Sequence, residues 1–233
     1  MSNISLWNLS LAFIPVALLL LVMIAWSINY KNTLYAMVRM VTQLLLIGFL
    51  LNSIFSSNSY WLTITLLCIM LLAASWIALN SLPVKNSELF KITFISIMSS
   101  GVFTLAIMTQ AVLEVTPWYN AQIIIPIAGM IFANNMNSVS LAGERFYAEL
   151  KNTSLIDARN KAFQAALIPI TNSLFAVGLV SLPGMMTGQI LSGVEPLIAV
   201  RYQIMVMCMI LGAGGLSTGL FLHYLIRHET KDK

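Results

Sequence analysis

Charge is what this sequence has least of. Asp, Glu, Lys and Arg together make up 9% of its 233 residues, against roughly 25% in soluble domains. That shortage excludes an ordinary water-soluble globular domain. The few charges are also clustered, leaving uncharged runs at 1–30, 40–84, 92–113, 115–143 and 162–194. Two cysteines, Cys68 and Cys208, are too few for a disulfide framework, and two thiols alone make no metal motif. No lysine is followed by Ser or Thr, so the chain lacks a Gly-Lys-Ser/Thr phosphate-binding loop and hydrolyses no ATP by that route. His223 and His228 sit together near the end of the last apolar stretch and offer no Ser-His-carboxylate set for hydrolysis. No carboxylate falls in the middle of an apolar run: Glu114 and Glu195 lie at edges, and Arg39 and Arg201 lie near helix ends where they can snorkel. The intramembrane carboxylate common in proton- or ion-coupled carriers is therefore missing.

What is present is hydrocarbon. Hydrophobic residues are 59% of the chain, and each uncharged run holds one or more of the roughly 20-residue stretches a bilayer requires. The expected fold is all-α, a polytopic bundle of about seven membrane helices at 8–28, 36–55, 60–80, 91–112, 121–142, 162–182 and 198–226. With the N-terminus outside and the C-terminus inside, 11 of the 12 basic residues fall on the inner side and only Arg201 on the other, which the positive-inside rule favours. The net charge of +4 then reflects topology, and no nucleic-acid partner is implied. No basic residue precedes the first apolar run, which argues against a cleaved signal peptide. The chain reads as one transmembrane domain, 1–233, in a cell's inner membrane, with the lipid bilayer as its surroundings.

Its longest hydrophilic segment, 143–161 (GERFYAELKNTSLIDARNK), carries seven charges and is expected as a short cytoplasmic loop. Leu150, Leu155 and Ile156 among Lys151, Asp157 and Arg159 give it amphipathic character, suited either to a solvated loop or to docking a cytoplasmic partner.

One apolar stretch is not a plain anchor. From Ala165 to Gly193 the chain is uncharged yet contains Pro169, Pro183-Gly184, Gly188 and Gly193. Such breakers leave backbone groups unpaired, which bilayers tolerate only where the chain is buried in protein or lines a wet cavity. A transport path shaped by Pro183, Gly184, Met185, Met186 and Gln189 is the expectation. Asn134 and Asn137, three apart on a helix, share a face and are candidates to line it. Gln43, Asn172 and Gln203 supply further neutral dipoles. The alternative for all of these amides is ordinary interhelical hydrogen bonding. Met185 and Met186, with Met130, Met136, Met205, Met207 and Met209 adding to the count, could offer thioethers to Cu(I), but the 14 methionines are mostly read as flexible apolar filler, and no metal site is assigned.

These residues carry a resemblance. The run GLVSLPGMMTGQILSGVEP, AVRYQIMVM after it, AALIP before it, GMIFANNMNSVSL, and Arg39 with Gln43-Leu44 resemble the FetB-type family of ABC-transporter permeases, which includes bacterial iron exporters and plant aluminium-tolerance proteins. The resemblance implies a permease subunit driven by a separate ABC ATP-binding subunit, where ATP and Mg would bind, with no cofactor in this chain. It also implies a homodimer and export linked to iron or metal homeostasis. Leu150, Lys151, Leu155, Ile156, Asp157 and Arg159 then become candidates for docking the ATPase. One departure stands out: relatives typically carry a longer Glu-x-x-Leu-x-Leu-Gly-Ala segment before the sixth span, whereas here GERFYAEL passes to FQAALIP without Leu-Gly-Ala. The corresponding alternative is a non-transporting membrane receptor or assembly protein that keeps the permease fold without ATPase coupling.

Overall fold

A computed structural model describes residues 4–56 and 59–231, and every described regular element is helical. The chain divides into two compact units, 1–56 and 57–233.

In the first unit, α1 (Leu6–Leu11) is capped by the Ser5 hydroxyl, which accepts from the Asn8 amide at 3.1 Å. Pro15 sits in the first turn of α2 (Ile14–Ala25), where its missing N–H costs nothing. α3 (Tyr30–Ser56) follows and packs on α2, with Phe13, Val16, Ala17 and Leu20 on one side and Leu34, Val38, Val41 and Thr42 on the other lining a shallow groove. No residue of α2 is buried. A helix apolar on all sides and only half-covered along one of them is solvated by lipid over the rest.

The second unit contains α4 (Tyr60–Asn80), α5 (Ser87–Ala106) prolonged by a π-helical turn (Ile107–Val112), α6 (Ala121–Leu150), α7 (Leu155–Ala176), α8 (Gly184–Leu191) and α9 (Pro196–Lys231). Side-chain caps fix three of their starts. Asn86 accepts from Leu89 N at 2.7 Å, Asn120 from Gln122 N at 3.1 Å, and Ser154 from Asp157 N at 3.2 Å. The core lies where α4, α5, α7 and α9 close on α6, around Ala128, Ile131, Val139, Ala142 and Phe146. α7 presents Ala158, Ala162 and Ala166 at four-residue spacing, a smooth face that lets it lie close to its neighbours.

Two glycines mark close approaches. A Cβ at Gly143 would collide with Leu82, and one at Gly214 would sit 2.5 Å from Asn134 Nδ2 and 3.0 Å from Ser138 Oγ.

Six helical stretches among the described residues are long and apolar enough to cross a bilayer: Trp7–Ala25, Tyr30–Leu51, Tyr60–Asn80, Ser87–Val112, Ala121–Leu150 and Pro196–Thr230. The protein is a multi-pass membrane protein. Tyr60, Trp61, Trp118 and Tyr119 cluster where α4 and α6 begin, with ring centroids 5.0–6.2 Å apart, and mark one membrane–water interface.

The expected sixth span, 162–182, requires correction. α7 begins earlier, at Leu155, and stops at Ala176, because Val177 takes an extended conformation (ψ 128°) and Gly178 a left-handed one (φ +85°). Asp157, Arg159 and Lys161 in its first turns keep it out of the set of simple spans. The expected loop at 143–161 is also mostly helix, with only 151–154 outside α6 and α7. Its charges are satisfied on helix surfaces: Glu149 pairs with Arg145 at 2.6 Å and with Lys161 at 2.8 Å, tying the end of α6 to the start of α7.

Candidate functional site

The unusual feature of the second unit is how the chain returns between α6 and α9. These two helices run parallel, since Asn134 Nδ2 donates to Ile210 O at 2.8 Å and, further along both, Tyr147 Oη donates to Glu229 Oε1 at 3.0 Å. The chain between them must therefore recross. α7 starts that crossing antiparallel to α9, with Phe163 beside Gly219 and Leu167 beside Gly215. At 1.5 Å per residue, α7 ends about 14 Å beyond Leu167, level with roughly residue 206 and about 15 Å short of the start of α9. The return is thus made by α7, an irregular segment 177–183, and the short helix α8.

The irregular segment is internally bonded. The Ala176 carbonyl accepts from Leu179, Val180 and Ser181 N–H at 3.2, 2.8 and 3.1 Å. Gly178 N donates to Ser181 O at 3.0 Å, and Val177 N to Ser173 O at 3.0 Å. Five consecutive N–H groups are therefore paired without a neighbouring helix, which the hydrocarbon demands. At its tip the side chains face outward: Leu179 is 90% and Val180 84% exposed.

The expectation of an irregular path from Pro183 to Gln189 is corrected at the same place. Gly184–Leu191 is helix, because Pro183, at φ −61° and ψ 144°, serves as its N-cap, a role suited to a residue whose φ is already helical. The Thr187 amide and hydroxyl both donate to Pro183 O, at 3.0 and 3.1 Å. The break lies upstream, at 177–183.

Between the end of α7, this segment and α9 lies a cleft of about 330 Å³. Leu174, Val177, Gly178, Leu182, Pro183 and Met186 form one wall, and Val200, Gln203, Ile204, Met207 and Cys208 the other. The second set follows the i, i+3, i+4, i+7, i+8 spacing of a single helix face. The wall is aliphatic apart from one amide and three sulfur atoms. Gln203 is 5% exposed, and its Oε1 has no hydrogen-bond partner.

The other residues singled out in the sequence are dispersed. Pro183 and Met186 reach the cleft; Gly184 and Met185 are exposed beside it, and Gln189 is half-buried with Oε1 unpartnered. Asn134 is occupied by its bond to Ile210 O, Asn137 and Asn172 are exposed, and Gln43 belongs to the first unit. The buried amide of α6 is Asn135, fully enclosed with neither Oδ1 nor Nδ2 partnered. At the opposite end, Leu150 and Leu155 pack against the core, whereas Ile156 is 61% exposed between exposed Lys151 and Arg159. Asp157 accepts from the Ser154 hydroxyl at 2.7 Å, and Arg159 donates to Asn160 Oδ1. Among the described residues, no group of three His, Cys, Asp or Glu side chains forms a metal cluster.

No solved structure matches the chain. Relatives by sequence are clear. The chain is 35% identical over 230 residues to the UPF0014 membrane protein slr1647 of Synechocystis, covering 91% of this chain and 87% of that protein. It is 35% identical over 225 residues to the "Probable iron export permease protein FetB" of Escherichia coli, covering 86% and 85%. It is 29% identical over 228 residues to "Protein ALUMINUM SENSITIVE 3" of Arabidopsis thaliana, covering 88% and 82%. The Uncharacterised protein family (UPF0014) matches residues 6–159 and 151–229, two stretches that meet where the Leu-Gly-Ala segment is missing. With nearly the whole chain matched and the helical membrane architecture to go with it, the protein belongs to the UPF0014 family.

Proposed function

We propose that this chain is the transmembrane permease subunit of an exporter in a cell's inner membrane, handling iron or another metal and driven by a separate ATP-binding subunit. The observation that carries this reading is the break at Val177-Gly178, where α7 stops about 15 Å short of the level at which α9 begins, beside a cleft that one wall of α9 completes. Irregular backbone within a bilayer is found where a protein lines a path. Similarity to a protein named as an iron export permease, over most of both chains, points the same way. With no phosphate-binding loop of its own, the chain needs ATP and Mg bound elsewhere.

In this reading the N-terminus is outside and the C-terminus inside, two copies form the permease, and the ATPase docks at the α6–α7 junction. Ile156, exposed between Lys151 and Arg159, supplies an apolar knob with basic flanks for that contact. The two-part family match, which meets at 151–159, favours a second reading in which a non-transporting receptor or assembly protein has lost this coupling. The two readings separate in one experiment. Tagged protein from its native host should co-purify with an ATP-binding-cassette subunit and, reconstituted with it, stimulate ATP hydrolysis and ATP-dependent metal efflux from vesicles. Absence of both co-purification and stimulation overturns the permease reading.

A further inference from the structure

The cleft beside the interrupted crossing gathers a donor set that the sequence scatters. Met186 comes from α8; Met207 and Cys208 come from α9; Gln203 lies one turn before Met207 on the same face. Cys208 is an exposed, free thiol. Gln203 is its opposite, 95% removed from solvent, with an acceptor oxygen that nothing in the protein satisfies. Buried acceptors are as a rule satisfied by protein, ordered water or a bound ion, and protein supplies no partner to this one.

The donors decide which partner. Small, strongly hydrated cations of higher charge take carboxylate, carbonyl and water ligands, and this aliphatic wall carries no carboxylate. Thiolate and thioether donors select soft ions such as Cu(I). Charge decides in the same direction, because an isolated charge is costly in an apolar medium. A monovalent cation on one thiolate forms a neutral centre: the Cys208 S–H loses its proton to solvent, the S–metal bond forms, and no net charge enters the membrane.

The geometry points to a site for a soft monovalent cation, Cu(I) or Ag(I), held by the Cys208 thiolate and the Met186 and Met207 thioethers, with Gln203 Oε1 as the remaining donor. Binding itself is independent of ATP. If the chain is an exporter, as proposed above, the bound ion marks the class of its cargo.

The test uses the purified full-length chain in detergent micelles with Cys68→Ser, so that Cys208 is the sole thiol. Ag⁺ is titrated calorimetrically, and X-ray absorption is recorded on anaerobically loaded Cu(I). One Ag⁺ should bind per chain with release of a proton, and the Cu(I) first shell should be dominated by sulfur. Cys208→Ser, and separately Met186→Leu with Met207→Leu, should each weaken binding by at least the roughly tenfold that even outer-shell partners of metals are worth. Fe(II) should not displace Ag⁺.

Absence of Ag⁺ binding, affinity unchanged in both variants, a first shell of oxygen and nitrogen, or displacement by Fe(II) overturns the site. The absorption measurement needs only the Cys68→Ser protein, so it decides even if a further variant misfolds. Ag⁺ binding without a co-purifying ATPase leaves the site standing and removes the exporter reading. ATPase stimulation without Ag⁺ binding does the reverse.

Discussion

Neighbouring glycines on α9 should respond to the same substitution with opposite signs. At Gly214, an alanine methyl would lie 2.5 Å from Asn134 Nδ2 and 3.0 Å from Ser138 Oγ. Either α6 and α9 separate or the Asn134 amide swings away from Ile210 O, which it now holds at 2.8 Å. Overpacking of this kind costs about 1–3 kcal/mol, and an interhelical hydrogen bond in a membrane adds about 0.6. Against these stands the helix preference for Ala over Gly, about 0.8–1.0 kcal/mol. Gly214→Ala should therefore destabilise the protein by about 2 kcal/mol. At Gly215 the new methyl meets only Leu167 Cδ2, at 3.9 Å, and the helix preference acts almost alone, so Gly215→Ala should be neutral or stabilising by up to about 1 kcal/mol. Reversible unfolding of purified protein in mixed micelles, titrated with SDS and followed by tryptophan fluorescence, measures both. Asn134→Ala combined with Gly214→Ala completes a cycle: removing the amide opens room for the methyl, so the double variant should be less damaged than the two single effects would give. If Gly214→Ala is as stable as Gly215→Ala, the close approach of α6 and α9 at this level is wrong.

Two further outcomes follow from burial. Ile156→Asp should leave thermal stability within about 0.5 kcal/mol of the parent, as exposed substitutions do, while abolishing co-purification of the ATPase; Leu155→Asp should instead destabilise the fold, because Leu155 packs against the core. Asn135→Leu removes a fully buried amide with no partner on either atom and should stabilise the protein by up to about 1–3 kcal/mol in the same SDS titration, with destabilisation the refuting result.

The fold class was legible because the scarcity of charge leaves few alternatives to a helical membrane bundle, and five of the seven expected spans correspond to single helices or to one helix with a prolonging turn. The first and sixth do not. α1 and α2 are separated by a short turn at Ala12 and Phe13, and the sixth crossing breaks at Val177-Gly178. Pro183-Gly184 looked like the stronger breaker, but proline before a helix starts it as readily as proline within one ends it. The charges of 143–161 suggested a loop because sequence alone does not reveal that Glu149 pairs with both Arg145 and Lys161 across two helices. Spacing placed Asn134 and Asn137 together, yet the interior face of α6 runs through Asn135, Ser138 and Ala142, and which face is interior depends on where α9 and α5 lie. Of the cleft, Pro183 and Met186 were read from the sequence, and Gln203 was named as a dipole. Met207 was counted with Met186 among thioethers suited to Cu(I), but Cys208 was read as an ordinary apolar thiol, because only the return of α8 against α9 brings the three together.

The break after α7 also constrains how the protein is made. A complete apolar helix can leave the translocation channel for lipid as soon as it is synthesised, since it carries its own hydrogen bonds. α7 arrives with charges at one end and α8 has only 8 residues, so neither is among the helices long and apolar enough to cross a bilayer alone. Both must wait for α9, whose N-terminal half backs α8 and whose C-terminal half backs α7. The last third of the chain therefore enters the membrane as one assembled piece, and a nascent chain halted before Pro196 should present α7 and α8 to the membrane-protein quality-control machinery.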